Sequence, residues 1–398
     1  MKKKKKVYLD YAATTPLDPR VFEIMKPYFS QKFGNPMSLH SFGRKASEAI
    51  EKARQRTARF LGCSPDEIVF TSGATESNNL AIKGIILKSE FNGKIKPHII
   101  TTQFEHPCVL NTCRVLEEQG RVAVTYLPIG KEGIIKVRDV KESIKRSTCL
   151  ISVMYVNNEI GTIQPIREVG ELLKKINAGR DRKIIFHTDA TQAIGYLDCK
   201  VDNLGVDLLS MSAHKIYGPK GAGCLYVREG TPIKRIQDGG EQESNLRSGT
   251  HNVPGIVGLG SALELVAKER KKVYNQVAKL RDYLVQRILR EIPDVRLNGS
   301  KMKRVPNNAN FTFSNVEGEG LLMGLDVKGI AVSTGSACSS ENLRPSHVLI
   351  AIGLTDEESH GSLRITLGKY TTKQEVDYAI SALKDTVSKL RKVAGRNY

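Results

Sequence analysis

The chain contains no tryptophan, and aromatic residues make up only 6% of it. Flat rings on which unpaired bases could stack are therefore scarce, and no RNA-binding motif appears. Its seven cysteines, Cys63, Cys108, Cys113, Cys149, Cys199, Cys224 and Cys338, form no C-x-x-C pair and are odd in number. That excludes a disulfide framework and a zinc knuckle and fits a reducing compartment. Acidic residues number 42 against 61 Lys and Arg, a formal charge of +19. The excess persists without Lys2 to Lys6, and it attracts polyanions while reading chiefly as a solvated basic face. No apolar run approaches the ~20 residues that cross a bilayer; Ile85 to Leu87 and Cys149 to Val156 are among the longest. Asp10 interrupts the N-terminus before a signal core could form, and Gly395-Arg396-Asn397-Tyr398 is no lipidation box. The expectation is a cytoplasmic protein with no membrane partner.

What is present is an ordinary globular composition, 40% hydrophobic and 26% charged. At roughly 150 residues per domain, 398 residues predict one large and one smaller domain. Short β-branched runs alternate with amphipathic stretches from Glu67 to Val227, the pattern of a mostly parallel sheet flanked by helices. The predicted strands are Glu67 to Thr71, His98 to Thr102, Val122 to Leu127, Leu150 to Val156, Lys183 to Thr188, Leu208 to Ser212 and Gly223 to Val227. A long helix, about Gly255 to Glu291, leads to strand Asn310 to Ser314, helix Gly320 to Lys328 and strands Ile330 to Ser333 and Leu363 to Leu367. The last helix opens on a capping box, Thr372 to Glu375, with Val376, Ile380, Leu383, Val387 and Leu390 on one face. That stripe is core.

Three segments carry candidate chemistry. Thr71-Ser72-Gly73-Ala74-Thr75-Glu76 follows a strand and opens a helix, so it reads either as an anion cradle at a helix N-terminus or as a plain turn capped by Thr75. His187-Thr188-Asp189-Ala190-Thr191-Gln192 puts an acid beyond a strand's carboxyl end, where ligands collect in open α/β sheets; a helix cap is the other reading of Asp189. Ser212-Ala213-His214-Lys215 places a lysine after a strand, where burial makes an amine nucleophilic. Lys220, in Gly218-Pro219-Lys220-Gly221, is a weaker candidate, because that spacing is not a phosphate loop.

Cradle, acid and lysine in this order resemble a pyridoxal-phosphate enzyme of the class V aminotransferase type. Ser333-Thr334-Gly335-Ser336-Ala337-Cys338-Ser339-Ser340 resembles the catalytic-cysteine loop of cysteine desulfurases, in the long-loop group of iron-sulfur-cluster and nitrogen-fixation enzymes. The similarity runs from Tyr8-Leu9-Asp10-Tyr11-Ala12-Ala13-Thr14-Thr15 through Gly34-Asn35-Pro36, Glu105-His106, Asn157-Asn158-Glu159 and Arg247-Ser248-Gly249-Thr250 to Arg364, essentially the whole chain.

The resemblance implies a fold-type I α/β enzyme and homodimer, with a mostly parallel seven-stranded sheet sandwiched by helices and a smaller α+β C-terminal domain. Residues 1–15 would pack on the small domain, 16–260 would bind the cofactor, and 261–398 would carry a mobile cysteine loop at about 333–345. Lys215 matches the Schiff-base lysine, Asp189 the partner of the ring nitrogen, and His106 the ring-stacking histidine that can also relay a proton. Gln192 and Asn158 match groups around the phenolic oxygen. Ala74, Thr75, Ser212 and His214 match the phosphate site, and Thr250 reaches the neighbouring subunit's phosphate. Arg364 matches the holder of the substrate carboxylate, assisted by Asn35 and Asn158. Glu241 and Ser244-Asn245 depart from the family's usual Gly and Arg-Gly, which puts local backbone geometry there in question.

The implied activity converts L-cysteine to L-alanine with sulfur captured on Cys338 as a persulfide, because the step needs a soft thiolate nucleophile. The sulfur would pass to an iron-sulfur scaffold or another acceptor protein, and nucleic acid would enter only indirectly through tRNA thiolation. No permanent metal is expected, with Cys338 at most a transient cluster ligand. A selenocysteine lyase, another class V lyase or aminotransferase, and a non-catalytic basic scaffold stay open as alternatives; Lys215, Asp189 and Cys338 together speak against the scaffold.

Overall fold

The computed structural model describes residues 6–89, 96–334, 344–393 and 395. Twelve strands are formed among them: β1 Val7–Tyr8, β2 Ile68–Thr71, β3 His98–Thr102, β4 Ala123–Leu127, β5 Thr148–Ser152, β6 Ile185–Asp189, β7 Leu208–Ser212, β8 Gly223–Val227, β9 Val295–Leu297, β10 Asn308–Phe313, β11 Ile330–Ala331 and β12 Ser362–Thr366. Seven of them build one sheet in the order β2-β8-β7-β6-β5-β3-β4. All neighbouring pairs are parallel except those of β8, which runs antiparallel to both β2 and β7.

Successive residues of these strands alternate between two cores, as the two-residue period of a pleated strand requires. Ile68, Phe70, Ile100, Ile151, Phe186, Leu209, Met211 and Tyr226 face one cluster, which is completed by helices Ser41–Leu61 and Ile166–Asn177 and the start of helix Val253–Glu291. Val69, Ile99, Leu150, Ile185, Leu208 and Leu225 face the other, completed by helices Ala74–Ser89 and Pro107–Glu118. Both faces being covered explains why these strands read as nearly continuous apolar runs. Cys149 and Cys224 lie in these cores as small apolar groups.

A second, antiparallel sheet, β12-β10-β9, packs with helix Lys373–Val393 around its own cluster. The capping box is formed: Glu375 N–H donates to Thr372 Oγ1, and the Glu375 carboxylate accepts from Thr372 N–H. The 39-residue helix Val253–Glu291 joins the two cores, with Ile256, Leu259 and Leu263 in the large one and Val277, Leu284 and Ile288 in the second. β1 pairs with β11, so the N-terminal segment lies on the second core.

Two predicted strands end two or more residues before their sequence suggested. The run Leu150 to Val156 leaves the ladder after Ser152: Tyr155 N–H still reaches Asp189 O, but Val156 then bridges back to Ile163. Ile330 to Ser333 keeps only two residues in β11, because its partner there is the two-residue β1, and Ser333 bridges instead to Arg364.

Candidate active site

The carboxyl ends of β2, β3, β5, β6 and β7 open on one cavity of about 1020 Å³. It is lined by residues from every candidate segment: Ala74, Thr75, His106, Asn158, Asp189, Gln192, Ser212, His214, Lys215 and Arg364. This is where the ends of parallel strands, each followed by a reversal of the chain, leave a crevice.

At the end of β2 the chain turns through Ser72 and Gly73 into helix Ala74–Ser89. Helix geometry starts at Ala74, so Thr75 sits in the first turn and does not cap it. Gly73 has φ +154°, a conformation that L side chains rarely adopt. The Ser212 hydroxyl lies 3.6 Å from the point a Cβ at Gly73 would occupy. Glu76, the acid of this turn, also lines the cavity and accepts from Arg247 Nε and from the Ser72 N–H.

Asp189 ends β6 and is buried. Its Oδ1 accepts the Thr191 N–H at 2.9 Å, and its Oδ2 accepts the Asn78 amide at 2.7 Å. Lys215 closes a single helical turn after β7, and its Nζ donates to the carbonyls of Ala12 and Ala13 at 2.5 and 2.8 Å. Gln192 Nε2 donates to the same Ala12 carbonyl at 3.0 Å. Lys220 also lines the cavity, from an exposed position. His214 is held by Thr14 Oγ1 at 3.1 Å, and burial, with Lys215 and Lys220 nearby, pushes its imidazole down to about 4. Burial lowers His106 as well, against the pull of Asp189.

Arg364 projects from β12 and is buried. Its guanidinium donates to Asp10 Oδ1 at 2.9 Å and to the Asn158 carbonyl at 3.0 Å, and its Nε has no partner among the described residues. Asp10 is a residue that reasoning from sequence did not single out; nothing local in the chain signals a pairing across 354 residues. Two buried acids adjoin the site. Glu105 is pushed up to about 8 by burial, and Glu159 to about 7, although the Ser346 hydroxyl bonds it.

Cys338 lies outside the described residues. The residues on either side of that segment are at the cavity: Ser333 exchanges backbone hydrogen bonds with Arg364, and Arg344, Pro345, Ser346 and His347 line the wall. Asn35 and Thr250 do not line it. Both are exposed, and Asn35 Oδ1 accepts the Met37 N–H. Their segments meet at a second cavity of about 270 Å³ bounded by Pro36, Met37, Glu241 to Ser244 and His251. There two of the departures from the family pattern, Ser244 and Asn245, continue a left-handed run that starts at Glu243, at φ 49°, 54° and 62° in chain order, while the third departure, Glu241, has φ −90°. Asn is among the residues that tolerate this region, and Glu243 is fixed by Arg54, His251 Nε2 and the Phe70 N–H.

The donor set suits pyridoxal phosphate. Hydroxyls and a helix N-terminus converge at one end, where Gly73 leaves room for an anion. A buried carboxylate stands in the wall for a ring N–H⁺, and a half-buried amine stands beside it for the aldehyde carbon.

The class-V aminotransferase family matches residues 7–379. The chain is 51% identical over 391 residues to a cysteine desulfurase IscS of Dictyoglomus turgidum, covering 98% of this chain and 97% of that one. It is 46% identical to a cysteine desulfurase of Rattus norvegicus, covering 98% and 84%. Among solved structures, a NifS-like protein superposes with a TM-score of 0.89 at 39% identity, covering 96% of this chain and all of that one. A structure described as SspA in complex with cysteine superposes with a TM-score of 0.81 at 41% identity, covering 92% and 100%. The chain therefore belongs to the class-V aminotransferase family of pyridoxal-phosphate enzymes.

Proposed function

We propose that the protein is a cysteine desulfurase, which takes L-cysteine to L-alanine and transfers the sulfur to its own Cys338. The observation that carries this reading is the convergence of Lys215, Asp189, His106 and Arg364 on one cavity that is also bordered by both flanks of the Cys338 segment. Near-full-length identity to named cysteine desulfurases supports it.

Bound pyridoxal phosphate supplies an electron sink for the pair released at the substrate's α-carbon. Thr75, Ser212, His214 and the N–H groups after Gly73 would hold its phosphate, and Asp189 its ring nitrogen. Lys215 would hold the cofactor's aldehyde carbon, and its amine would serve as base and acid at the substrate's α-carbon. Arg364 clamps the substrate carboxylate with a planar fork, assisted by Asn158. The Cys338 thiolate attacks the substrate sulfur, breaking the bond from carbon to sulfur; the products are alanine and a Cys338 persulfide. An acceptor protein, for iron-sulfur cluster assembly or tRNA thiolation, then takes the sulfur. His106 would stack on the cofactor ring and relay a proton.

We further propose a cytoplasmic homodimer. Asn35 and Thr250 lie outside the cavity of their own chain, and the nearby Phe33, Met37 and Leu39 are all more than half exposed. Clustered exposed apolar side chains mark contact surfaces, so these segments would face the second copy, where Thr250 reaches that copy's phosphate. Residues 16–260 and 261–398, joined through helix Val253–Glu291, form the proposed cofactor-binding and small domains. Among the described residues no helix is long and apolar enough to cross a membrane.

The test is to incubate the purified protein with L-cysteine, pyridoxal phosphate and a thiol reductant. Alanine and sulfide should appear in equal amounts; sulfide without alanine, or neither product, would contradict the reading.

A further inference from the structure

The helix Pro107–Glu118 begins on His106, whose ring acts as its cap: Nδ1 accepts the Cys108 N–H at 3.2 Å. The same Nδ1 lies 3.0 Å from Cys108 Sγ. A nitrogen that accepts a main-chain N–H carries its lone pair and no proton. The S–H donating to Nδ1 satisfies the sulfur contact, with Thr75 a further side chain bonded to this sulfur, and the imidazole proton then resides on Nε2.

Cys108 Sγ also accepts from Asn78 Nδ2 at 3.0 Å, and this Nδ2 donates its other hydrogen to Asp189 Oδ2 at 2.7 Å. An amide nitrogen has two hydrogens, so both bonds form at once. Turning the amide over would set its oxygen against the Asp189 carboxylate, which fixes the orientation of the amide. Asn78 is fully buried, so water does not replace these bonds. The result is a run of hydrogen bonds from Asp189 through Asn78 and Cys108 to His106, in which the helix start at His106 and Cys108, the helix Ala74–Ser89 and the end of β6 meet.

We propose that Cys108 is a positioning residue for His106, its thiol holding the imidazole as the neutral Nε2–H tautomer and tying it through Asn78 to Asp189. This rests on the reading of the cavity given above. Burial and the Asp189 charge push the Cys108 thiol up to about 12, so it stays a donor and is not a competing nucleophile. The charged and titratable groups around the His106 ring are Asp189, which favours the imidazolium, and Lys215 and His347, which oppose it; Glu105 precedes it in the chain. A donor on Nδ1 acts with burial, because it bonds the neutral form.

The test follows the full-length holoenzyme carrying isotope-labelled histidine by NMR, with the His106 signal assigned from a His106→Gln variant. In the wild type the His106 proton should sit on Nε2. In Cys108→Ala the ring should titrate about half a unit to one unit higher, the change expected for one lost neutral hydrogen bond. The acid limb of kcat/KM for cysteine should move by the same amount. Cys108→Ser, which keeps an O–H donor, should restore the wild-type titration and profile. A proton on Nδ1 in the wild type would overturn the proposal, as would a Cys108→Ala enzyme with unchanged titration and profile. Should Cys108→Ala fail to fold, the wild-type tautomer and the Cys108→Ser titration still decide. Loss of the desulfurase reading itself would show separately, as a wild type that makes no alanine, because the tautomer is read without turnover.

Discussion

The side-chain amide of Asn78 donates to the Asp189 carboxylate at 2.7 Å, joining the helix after β2 to the end of β6 across 111 residues of sequence. The acid assigned to the cofactor ring is thereby aimed by a buried neighbour and not left to find its own rotamer. A hydrogen bond to a charged group contributes about 1.5–3 kcal/mol. Asn78→Ala should therefore weaken cofactor retention by roughly 10- to 100-fold, read as loss of the cofactor absorption on dialysis. Asn78→Asp, with a second carboxylate against the first, should lose more; an Asn78→Ala enzyme that keeps its cofactor like the wild type would refute this role.

Lys215 makes a separate prediction. The purified protein should be yellow, and Lys215→Ala should lose that colour while its circular dichroism is unchanged, since the amine and not the fold carries the attachment. Lys220→Ala should stay yellow. The reverse pattern would exchange the two lysines.

At the proposed carboxylate clamp, Arg364 is paired with Asp10. Replacing its fork by a point charge should disturb binding more than chemistry. Arg364→Lys is expected to raise KM for cysteine roughly tenfold with a smaller change in kcat, the loss of about one charge-assisted hydrogen bond. An unchanged KM would place the substrate carboxylate elsewhere.

The left-handed segment around Glu243 gives a pH-dependent prediction. Burial alone would raise the Glu243 carboxyl, but bonds from His251 and Arg54 outweigh it and hold the group down at about 2. A depressed folded value means that the contribution to stability is present above the unfolded value, about 4.3, and fades as pH falls through about 2. Glu243→Gln should lower the melting temperature clearly at pH 7, by a stability difference on the order of 3 kcal/mol. The gap to wild type should narrow below about pH 4. A gap that does not change with pH would mean that the segment is held by packing instead.

Much of this was readable from the chain, for physical reasons that differ from element to element. The strands around Ile99, Leu150 and Leu208 are apolar on both faces and bounded by turns, which is a local property. So is the capping box at Thr372, whose partner Glu375 is three residues away. The reversal of β8 was not legible, because direction depends on which neighbours a strand finds. β9 and β1 have three and two residues and no periodicity to detect. In the site, Lys215, Asp189 and the Gly73 turn announce themselves by position after strands. The bonds that aim them do not: Asp10 with Arg364, Asn78 with Asp189 and Arg54 with Glu243 are pairs made by tertiary folding alone. Cys108 read as an unremarkable thiol until the helix start placed it against His106 Nδ1.

The measurement that bears most directly on the account is the location of sulfur after one turnover. Wild-type enzyme given L-cysteine without reductant, then alkylated and digested, should carry one extra sulfur on the peptide containing Cys338. Cys338→Ser should bind cysteine, with a change in cofactor absorption, yet carry no such sulfur and release little alanine. Extra sulfur found instead on Cys108 or Cys113, or alanine released by Cys338→Ser at the wild-type rate, would contradict the assignment of Cys338 as the sulfur acceptor.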